Sequence, residues 1–538
     1  MLIWTSLVAA SVIALLVQIS ALDKLGHVAA PLAGGAYSEA AIGSVQVVNP
    51  LLPDAASSDV DRLIFSGLTR YDSTGQLTGD LATKWEVTPD GKTYTFHLRK
   101  NVKWHDGVPF GATDVAFTIA AIQHPDSRSA LASSWQGVKV TTKGDSTVVF
   151  TIPTPLASFA SSTTIGIVPR HILESVEPSQ LREADFNQNP VGTGPFMMKT
   201  FAPAANEITL KANPRYYLGK PKLDEFTFRY YPTTAEALTA YDKHEVISPG
   251  RIEAAQLNKA SRSTELAFYD ANLPEETTLF FQTADPTLSD GPLRKILSQS
   301  IDRSSLLDRS EQGEGRVVTQ PLLPGQIGYT AKYALPTLNQ TEAMSALDSA
   351  GWKADPKTGV RQNGVKTLQF KLATLKGSEL ETAAKALQKQ WAAIGVKLSL
   401  TAVDQDELQQ TYMRPRNFQM LLYGVSIGAD PDVYAYWHSS QAKDPGVNLS
   451  AYSSPEADKA LEAGRIATDP RVRTGKYDSF LKAWNSDTPA AVLYQSVYRY
   501  GAAKNVHGIS AQRLITPADR FYNVQSWTVR ETLIPRFR

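Results

Sequence analysis

LATKWEVTPDGKTYTFHLRKNVKWHDGVPF, from Leu81 to Phe110, is the most informative run of the chain. Tyr94, Phe96 and Leu98 alternate with Thr95 and His97, the period-two pattern of a strand with one buried face. Asp90-Gly91 marks a turn ahead of it, and Trp85-Glu-Val87 on the far side of that turn supplies the partner of a hairpin. Moving outward, Val115-Ala-Phe117-Thr-Ile119 starts a helix after Gly111-Ala-Thr113-Asp114, with Asp114 suited to the helix's positive end. Ser146 to Ile152 (STVVFTI) reads as a second strand, ended by Pro153.

The second half is more regular. Ser378-Glu-Leu-Glu381 has the form of a capping box. Leu380, Ala384, Leu387, Trp391 and Ile394 then fall on one apolar face of a helix. Gly395 follows in the usual left-handed cap position. Val396, Leu398 and Leu400 alternate as a strand, and Phe418 to Tyr423 is a continuous apolar run, as a strand buried on both faces requires. Leu293, Ile296, Leu297 and Ile301 mark another amphipathic helix, opened by Asp290-Gly-Pro292. Helices and strands thus alternate from 290 to 425, which predicts an α/β layer with a mixed sheet.

The bulk properties narrow the function. The 538 residues call for two or three domains. The 54 basic and 53 acidic residues leave a net charge of +1, with no electrostatic footprint for nucleic acid. Cysteine is absent, which removes disulfides, thiol nucleophiles and Cys-based metal centres. The histidines show no H-x-H or H-E-x-x-H spacing, so no metal site is expected, and no cofactor motif is present. Met1 to Leu22 carries no charged side chain and, as a helix, would span ~33 Å, enough for a ~30 Å hydrocarbon core. A secretory signal usually has an apolar core of only about 7–15 residues, so an uncleaved anchor is preferred to a cleaved signal. Lys24 follows the segment with no Lys or Arg before it, so charge gives no orientation. Residues 23–33, rich in Ala, Pro and Gly, read as a tether.

Gly424-Val-Ser426-Ile-Gly428 is a literal G-x-S-x-G, the pattern of a serine nucleophile elbow, and Asp430 with His438 or His507 follows in the order Ser, Asp, His. The context is wrong for that chemistry. An elbow turns directly into a helix, whereas Pro431 pushes Asp430 away from helical geometry. No oxyanion segment is recognisable, and no catalytic residue is assigned. The alternative is a loop that presents Asp430 at the carboxyl end of a buried strand, where α/β sheets hold ligands. A carboxylate there, with Tyr423, Tyr434, Tyr436 and Trp437 close in sequence, suits an organic cation or an amino terminus. The plainer possibility is that Asp430 caps the next turn and the aromatics are core.

The run from Leu81 to Phe110 also resembles the signature of family 5 extracellular solute-binding proteins of ABC transporters, the dipeptide, oligopeptide and nickel binders. The resemblance continues through Asn189-Pro-Val-Gly192-Thr-Gly194-Pro195-Phe196, Asn213 to Asp224, Pro292 to Arg303, and the NLSAYSSPEAD run from Asn448 to Asp458. It covers roughly Gly35 to Arg538. It implies an α/β fold of the periplasmic-binding-protein-like type II, with two lobes around a ligand cleft and an extra subdomain on lobe I. Lobe I would comprise 34–60, 165–277 and 496–538, the inserted subdomain 61–164, and lobe II 278–495. In peptide-binding relatives an Asp in the loop after the buried strand pairs with the ligand's ammonium, and Asp430 matches it, with Asp432 a neighbour. Asn448 would help to bind the peptide backbone. Many relatives carry a Trp just before that Asp; here Val425, Ser426 and Ile427 stand instead, and a stacking surface is missing. Trp104-His105-Asp106 occurs in the family whatever its ligand and is read as structural. The implied function is capture of short peptides outside the cytoplasm and delivery to an ABC permease by a membrane-anchored monomer that does no chemistry. The alternatives are the same fold with a sugar, an opine-like compound or a metal chelate, a receptor without transport, and a hydrolase using Ser426.

Overall fold

The Asp90-Gly91 turn closes its hairpin in the computed structural model, which describes residues 27–535: strands Ala82–Val87 and Thr93–Leu98 pair antiparallel. Gly91 takes a φ of +67°, a left-handed value that glycine adopts without steric cost. Tyr94, Phe96 and Leu98 all point into the core. Strand Thr147–Thr151 pairs with the far edge of the hairpin, and Lys139–Thr142 completes a four-stranded antiparallel sheet. Helix Ala112–Gln123 packs on it. It begins earlier than the apolar pattern indicates, so Asp114 lies within the first turn. There its carboxylate accepts the Gly111 amide at 2.9 Å and the Arg170 amide at 3.0 Å.

This sheet shares one hydrophobic core with a second four-stranded sheet, ordered Ala36–Ile42, Glu225–Tyr231, Glu207–Ala212, Phe196–Ala202. The same core takes in residues near the C-terminus, from Tyr498 to Trp527. The Gly192-Thr-Gly194 motif explains itself here. A Cβ on Gly192 would lie 1.9 Å from the Ile64 carbonyl oxygen, and one on Gly194 2.5 Å from that of Leu63. Only bare backbone fits against the end of helix Ser58–Ile64. His105 staples this contact. It accepts the Gly192 amide at 3.1 Å, and its other ring nitrogen lies 3.1 Å from the Gly194 carbonyl. Burial pushes its pKa down to about 4, so the ring is neutral. Trp104-His105-Asp106 is therefore a joint between segments.

The chain leaves this core after Leu273, enters another at Leu279, and returns between Tyr494 and Tyr498. Between those crossings lies a mixed six-stranded sheet, ordered Arg316–Val317, Ala490–Gln495, Glu275–Phe281, Met420–Ser426, Gln369–Leu375, Lys397–Val403. Gln369–Leu375 runs parallel to both of its neighbours, and the central pairs are antiparallel. Separate cores cover the two faces, one built on Leu279, Leu387 and Trp391, the other on Phe280, Trp437 and Trp484. That is why Met420–Ser426 opens as an unbroken apolar run: both of its faces are dry. Each large side chain fully buried in this way stabilises the lobe by roughly 1.5–3 kcal/mol. The molecule is thus a two-lobed α/β fold joined by two chain crossings.

Three expectations need correction or limits. The capping box at Ser378 does not form. Ser378 Oγ donates to the Leu375 carbonyl, and Glu381 accepts the Gly377 amide at 2.7 Å, one residue before the cap. A reciprocal box does form at Asn339 and Glu342. The tether at 23–33 is not all tether, because His27–Leu32 pairs antiparallel with Arg530–Pro535. The apolar segment 1–22 lies outside the described residues. Among the described residues, no helix is long and apolar enough to cross a membrane.

Candidate ligand site

The strand Met420–Ser426 ends at the side of the sheet that faces the first lobe, and the loop after it carries Asp430. Ile427, Val433 and Trp437 anchor the loop in the core below. Its backbone is tied at two points: the Tyr436 hydroxyl donates to the Ser426 carbonyl at 2.5 Å, and the Gln326 amide to the Gly428 carbonyl at 2.9 Å.

Asp430 is clamped by Arg473 in a two-pronged ion pair, with Nη1–Oδ2 at 2.8 Å and Nη2–Oδ1 at 2.6 Å. The Arg473 side chain is 4% exposed and that of Asp430 19%. Two further guanidinium donors reach the Gly464 carbonyl and the Tyr477 hydroxyl, each at 3.1 Å. Burial alone would depress the Arg473 pKa; the hydrogen bonds and charge of Asp430 more than offset this and raise it above its ordinary value. Helix Pro470–Asp487 presents Arg473 and Tyr477 one turn apart, on one face, after an Asp469 cap.

Two buried tyrosines of the first lobe lie close enough to Asp430 to sense its charge; Tyr94 is in the core, its hydroxyl donating to the Leu156 carbonyl at 2.7 Å. Burial lifts the Tyr94 phenol to about 12, with Arg473 pulling it down and Asp430 pushing it up. Tyr71 is raised too, by burial first and by the charges of Asp519 and Asp430. Both rings therefore feel Asp430 from the opposite lobe. The lobes also touch directly, the Ala157 amide donating to the Arg465 carbonyl at 3.0 Å.

The other expected residues divide into two groups. Asp432 pairs with Arg465 at 2.8 Å; the Arg465 guanidinium lies 4.1 Å from the Tyr434 ring centroid, and Tyr434 stacks on His438 at 4.0 Å. Tyr423 is half-buried, its hydroxyl accepting from Gln405 at 3.1 Å. These side chains border the loop. Trp437 and Asn448 do not offer a face to the cleft. Trp437 is 1% exposed, wedged between Phe280 and Trp484. Asn448 is 0% exposed, and its amide is spent on the carbonyls of His438 and Tyr452 and on the Tyr452 amide. For these two the interior role replaces the binding role.

The hydrolase geometry is not present. Ser426 is the last residue of its strand, paired with Glu275, and no helix begins before Tyr434. His438 bonds Ser440 and faces Asp458 and Glu462, while His507 bonds Glu531. Neither ring serves Ser426. Among the described residues, no cluster of three or more His, Cys, Asp or Glu could hold a metal ion.

A cavity of about 320 Å³ in the first lobe adjoins Tyr71. Asp54, Asp61, Arg62 and Asp519 supply its charges, and Phe65 and Ile165 belong to its apolar wall. Burial lifts the Asp61 carboxyl to about 7, the Ser57 hydroxyl lowering and Asp54 raising it. Sequence reasoning passed over these residues. The available signal was Asp59 and Asp61 in the first turn of a helix with Val60, Leu63 and Ile64 buried.

Both lobes have counterparts among known proteins. The model for bacterial extracellular solute-binding proteins, family 5 Middle, matches residues 76–446. The oligopeptide-binding protein AppA of Bacillus subtilis (strain 168) is 28% identical over 507 residues, 92% of each chain. The solved structure of oligopeptide-binding AppA from Bacillus subtilis in complex with a nonapeptide is similar at a TM-score of 0.75 and 26% identity, covering 93% of this chain and 100% of that one. NikZ from Campylobacter jejuni in complex with Ni(L-His) is similar at a TM-score of 0.77 and 26% identity, covering 92% of this chain and 99% of that one.

Proposed function

This chain belongs to the bacterial extracellular solute-binding proteins of family 5, and we propose that it captures short peptides between its lobes and delivers them to an ABC permease. The observation that carries the reading is Asp430, in the loop after the strand Met420–Ser426 and held there by a buried arginine. A carboxylate offers about four acceptor positions. Arg473 takes two, and the ligand's ammonium takes one that remains. Arg473 is then a positioning residue that fixes the direction of the carboxylate. Tyr423 and Tyr434 border the amino-terminal end of the peptide, and Asp432 is held by Arg465 beside them. Water mediates contacts to side chains, which is enthalpically nearly as good as direct bonding. Relatives described as oligopeptide-binding support this ligand class.

In the same reading, lobe I is 34–60, 165–277 and 496–538, with 61–164 inserted, and lobe II is 278–495. Closure about the two crossings buries the ligand. The apolar segment 1–22 anchors the monomer to the membrane with its lobes outside the cytoplasm, and no bond is made or broken in the ligand.

Native mass spectrometry of the purified protein, followed by mild denaturation, tests the ligand class. A ladder of masses matching mixed short peptides is the expected result. A single non-peptide mass, or nickel with a chelator as in the NikZ complex, keeps the fold and overturns the substrate.

A further inference from the structure

Glu276 is the second residue of the strand Glu275–Phe281, at the first crossing between the lobes. It is 2% exposed. Its Oε1 accepts a long hydrogen bond from Thr278 at 3.3 Å, and its Oε2 is buried with no partner among the described residues. An unpaired carboxylate in that position is costly, because nothing replaces the water it has lost. Strand alternation puts Glu276 on the same face as Thr278 and Phe280, and the register sets it opposite Val425. This is the face covered by helix Tyr434–Trp437, where Trp437 stacks on Phe280.

Tyr436, from that helix, packs on the same face of the sheet, and its hydroxyl reaches Ser426, the neighbour of the Val425 that stands opposite Glu276. Burial lifts its phenol to about 12, and the charge acting on it most strongly is that of Glu276, then Glu275, then Tyr423. Its hydroxyl holds the Ser426 carbonyl, the first residue before the loop that carries Asp430.

We infer that Glu276 is a positioning residue for the Asp430 loop, acting through Tyr436, and that it does so as a neutral carboxylic acid. As an acid it leaves the Tyr436 hydroxyl to the Ser426 carbonyl. As a carboxylate it is the stronger acceptor; it draws the phenol proton to itself and frees that carbonyl, loosening the root of the loop.

Among the described residues, the surroundings offer no counter-charge. Its own strand supplies Thr278, and Glu275, which points to the other face and senses Arg251. The strand Met420–Ser426 supplies Val425 and Tyr423, whose hydroxyl is engaged by Gln405. The strand Ala490–Gln495 supplies Val492, opposite Thr278, while its Tyr494, opposite Thr277, belongs to the other face. Tyr436 completes the set. Burial accordingly lifts the Glu276 carboxyl to about 8, with Thr278 opposing.

The sign follows. The tied loop holds the proton up to about pH 8, whereas an uncovered glutamate releases it near its ordinary value of about 4.3. The ratio of tied to loosened loop therefore falls as pH rises through that window, by up to about tenfold per pH unit, and levels off above it.

The inference deepens the ligand reading of the Asp430 loop, but its test needs no ligand, so failure of the peptide assignment leaves it standing. Hydrogen exchange of the amides from 423 to 437, corrected for intrinsic rates, is compared at about pH 5.5 and about pH 8.5 in wild type and Glu276→Gln. Wild type should lose protection there by about tenfold or more at the higher pH, while the glutamine variant, a fixed mimic of the acid, keeps it. Equal wild-type protection at both values, or a variant that loosens as wild type does, overturns the inference. Should the variant not fold, the carboxyl-carbon resonance of Glu276 in wild type decides instead: a midpoint in the ordinary carboxylate range overturns it, and one near neutrality or above supports it.

Discussion

Two acidic residues serve the same loop in opposite ways. Asp430, at its tip, has a cation built for it: Arg473 meets both oxygens, and Gly464 and Tyr477 take two more of its donors. Glu276, at its root, has no cation and one unpartnered oxygen among the described residues. Glu276 is fully buried and Asp430 partly so, but it is the partner that sets them apart. A paired buried charge can be presented to a ligand, because its desolvation is already offset. An unpaired one keeps its proton and becomes sensitive to pH instead. The first lobe repeats the contrast, with Arg520 paired to Glu39 and Asp59, and Asp61 left with one buried oxygen free.

The comparison breaks most sharply at Arg473. Arg473→Leu leaves Asp430 without its partner, and removing one member of a buried pair costs about 3–5 kcal/mol. Chemical denaturation should show a loss of that size; a loss under about 1 kcal/mol would mean that the pair is as weak as an exposed one. Asp430→Ala comes next. It should weaken binding of a peptide with a free amino terminus by well over tenfold, from the ~2–5 kcal/mol of a desolvated charge contact. Calorimetry giving equal affinities for wild type and variant would remove Asp430 from the ligand site. The double variant should lose less stability than the two singles added together, because the residues act as one unit.

How far these residues were readable in advance depended on how far each one's role was local. The strands around Tyr94 and Leu422 were legible because burial on one face or two writes itself as alternation or as a run. The place of Asp430 in the loop after a buried strand was legible from the apolar run before it, whereas its ligand role is what the family resemblance implies. Its arginine was not, since it stands 43 residues along the chain, on another helix. Trp437 and Asn448 looked like ligand residues because aromatic and amide side chains near a functional loop suit core and site equally well. Only packing separates the two, here the stack on Phe280 and the three backbone partners of the amide. Glu276 was hidden for the same reason: nothing in Glu275-Glu-Thr-Thr278 tells which of two adjacent glutamates the sheet will turn inward.

A smaller effect sharpens the unpaired side of the contrast. Asp61 titrates near 7 in the folded protein against an ordinary 3.8. Below the lower value both folded and unfolded forms are protonated. Between the two values the unfolded chain gives up its proton and the native state keeps it, so stability falls as pH rises and levels off beyond the upper value. Asp61→Asn, which holds the neutral form, should flatten this decline in a series of thermal melts across the window. An identical pH slope in wild type and variant would show that Asp61 is already ionised in the native state.

The smallest effect belongs to the outer pair. Asp432 and Arg465 meet at 2.8 Å, as closely as Asp430 and Arg473, yet the Arg465 side chain is 35% exposed. Solvent screens such a pair, and its net worth is about 0–1 kcal/mol. Arg465→Met should therefore change stability by no more than that, and by less in high salt, while keeping the aliphatic stem beside the Tyr434 ring. A loss approaching that of Arg473→Leu would mean that contact distance, and not burial, ranks the ion pairs of this loop. Electrostatics argues for burial, since water at the rim already supplies most of what Asp432 offers Arg465, whereas nothing but Asp430 can supply it to Arg473.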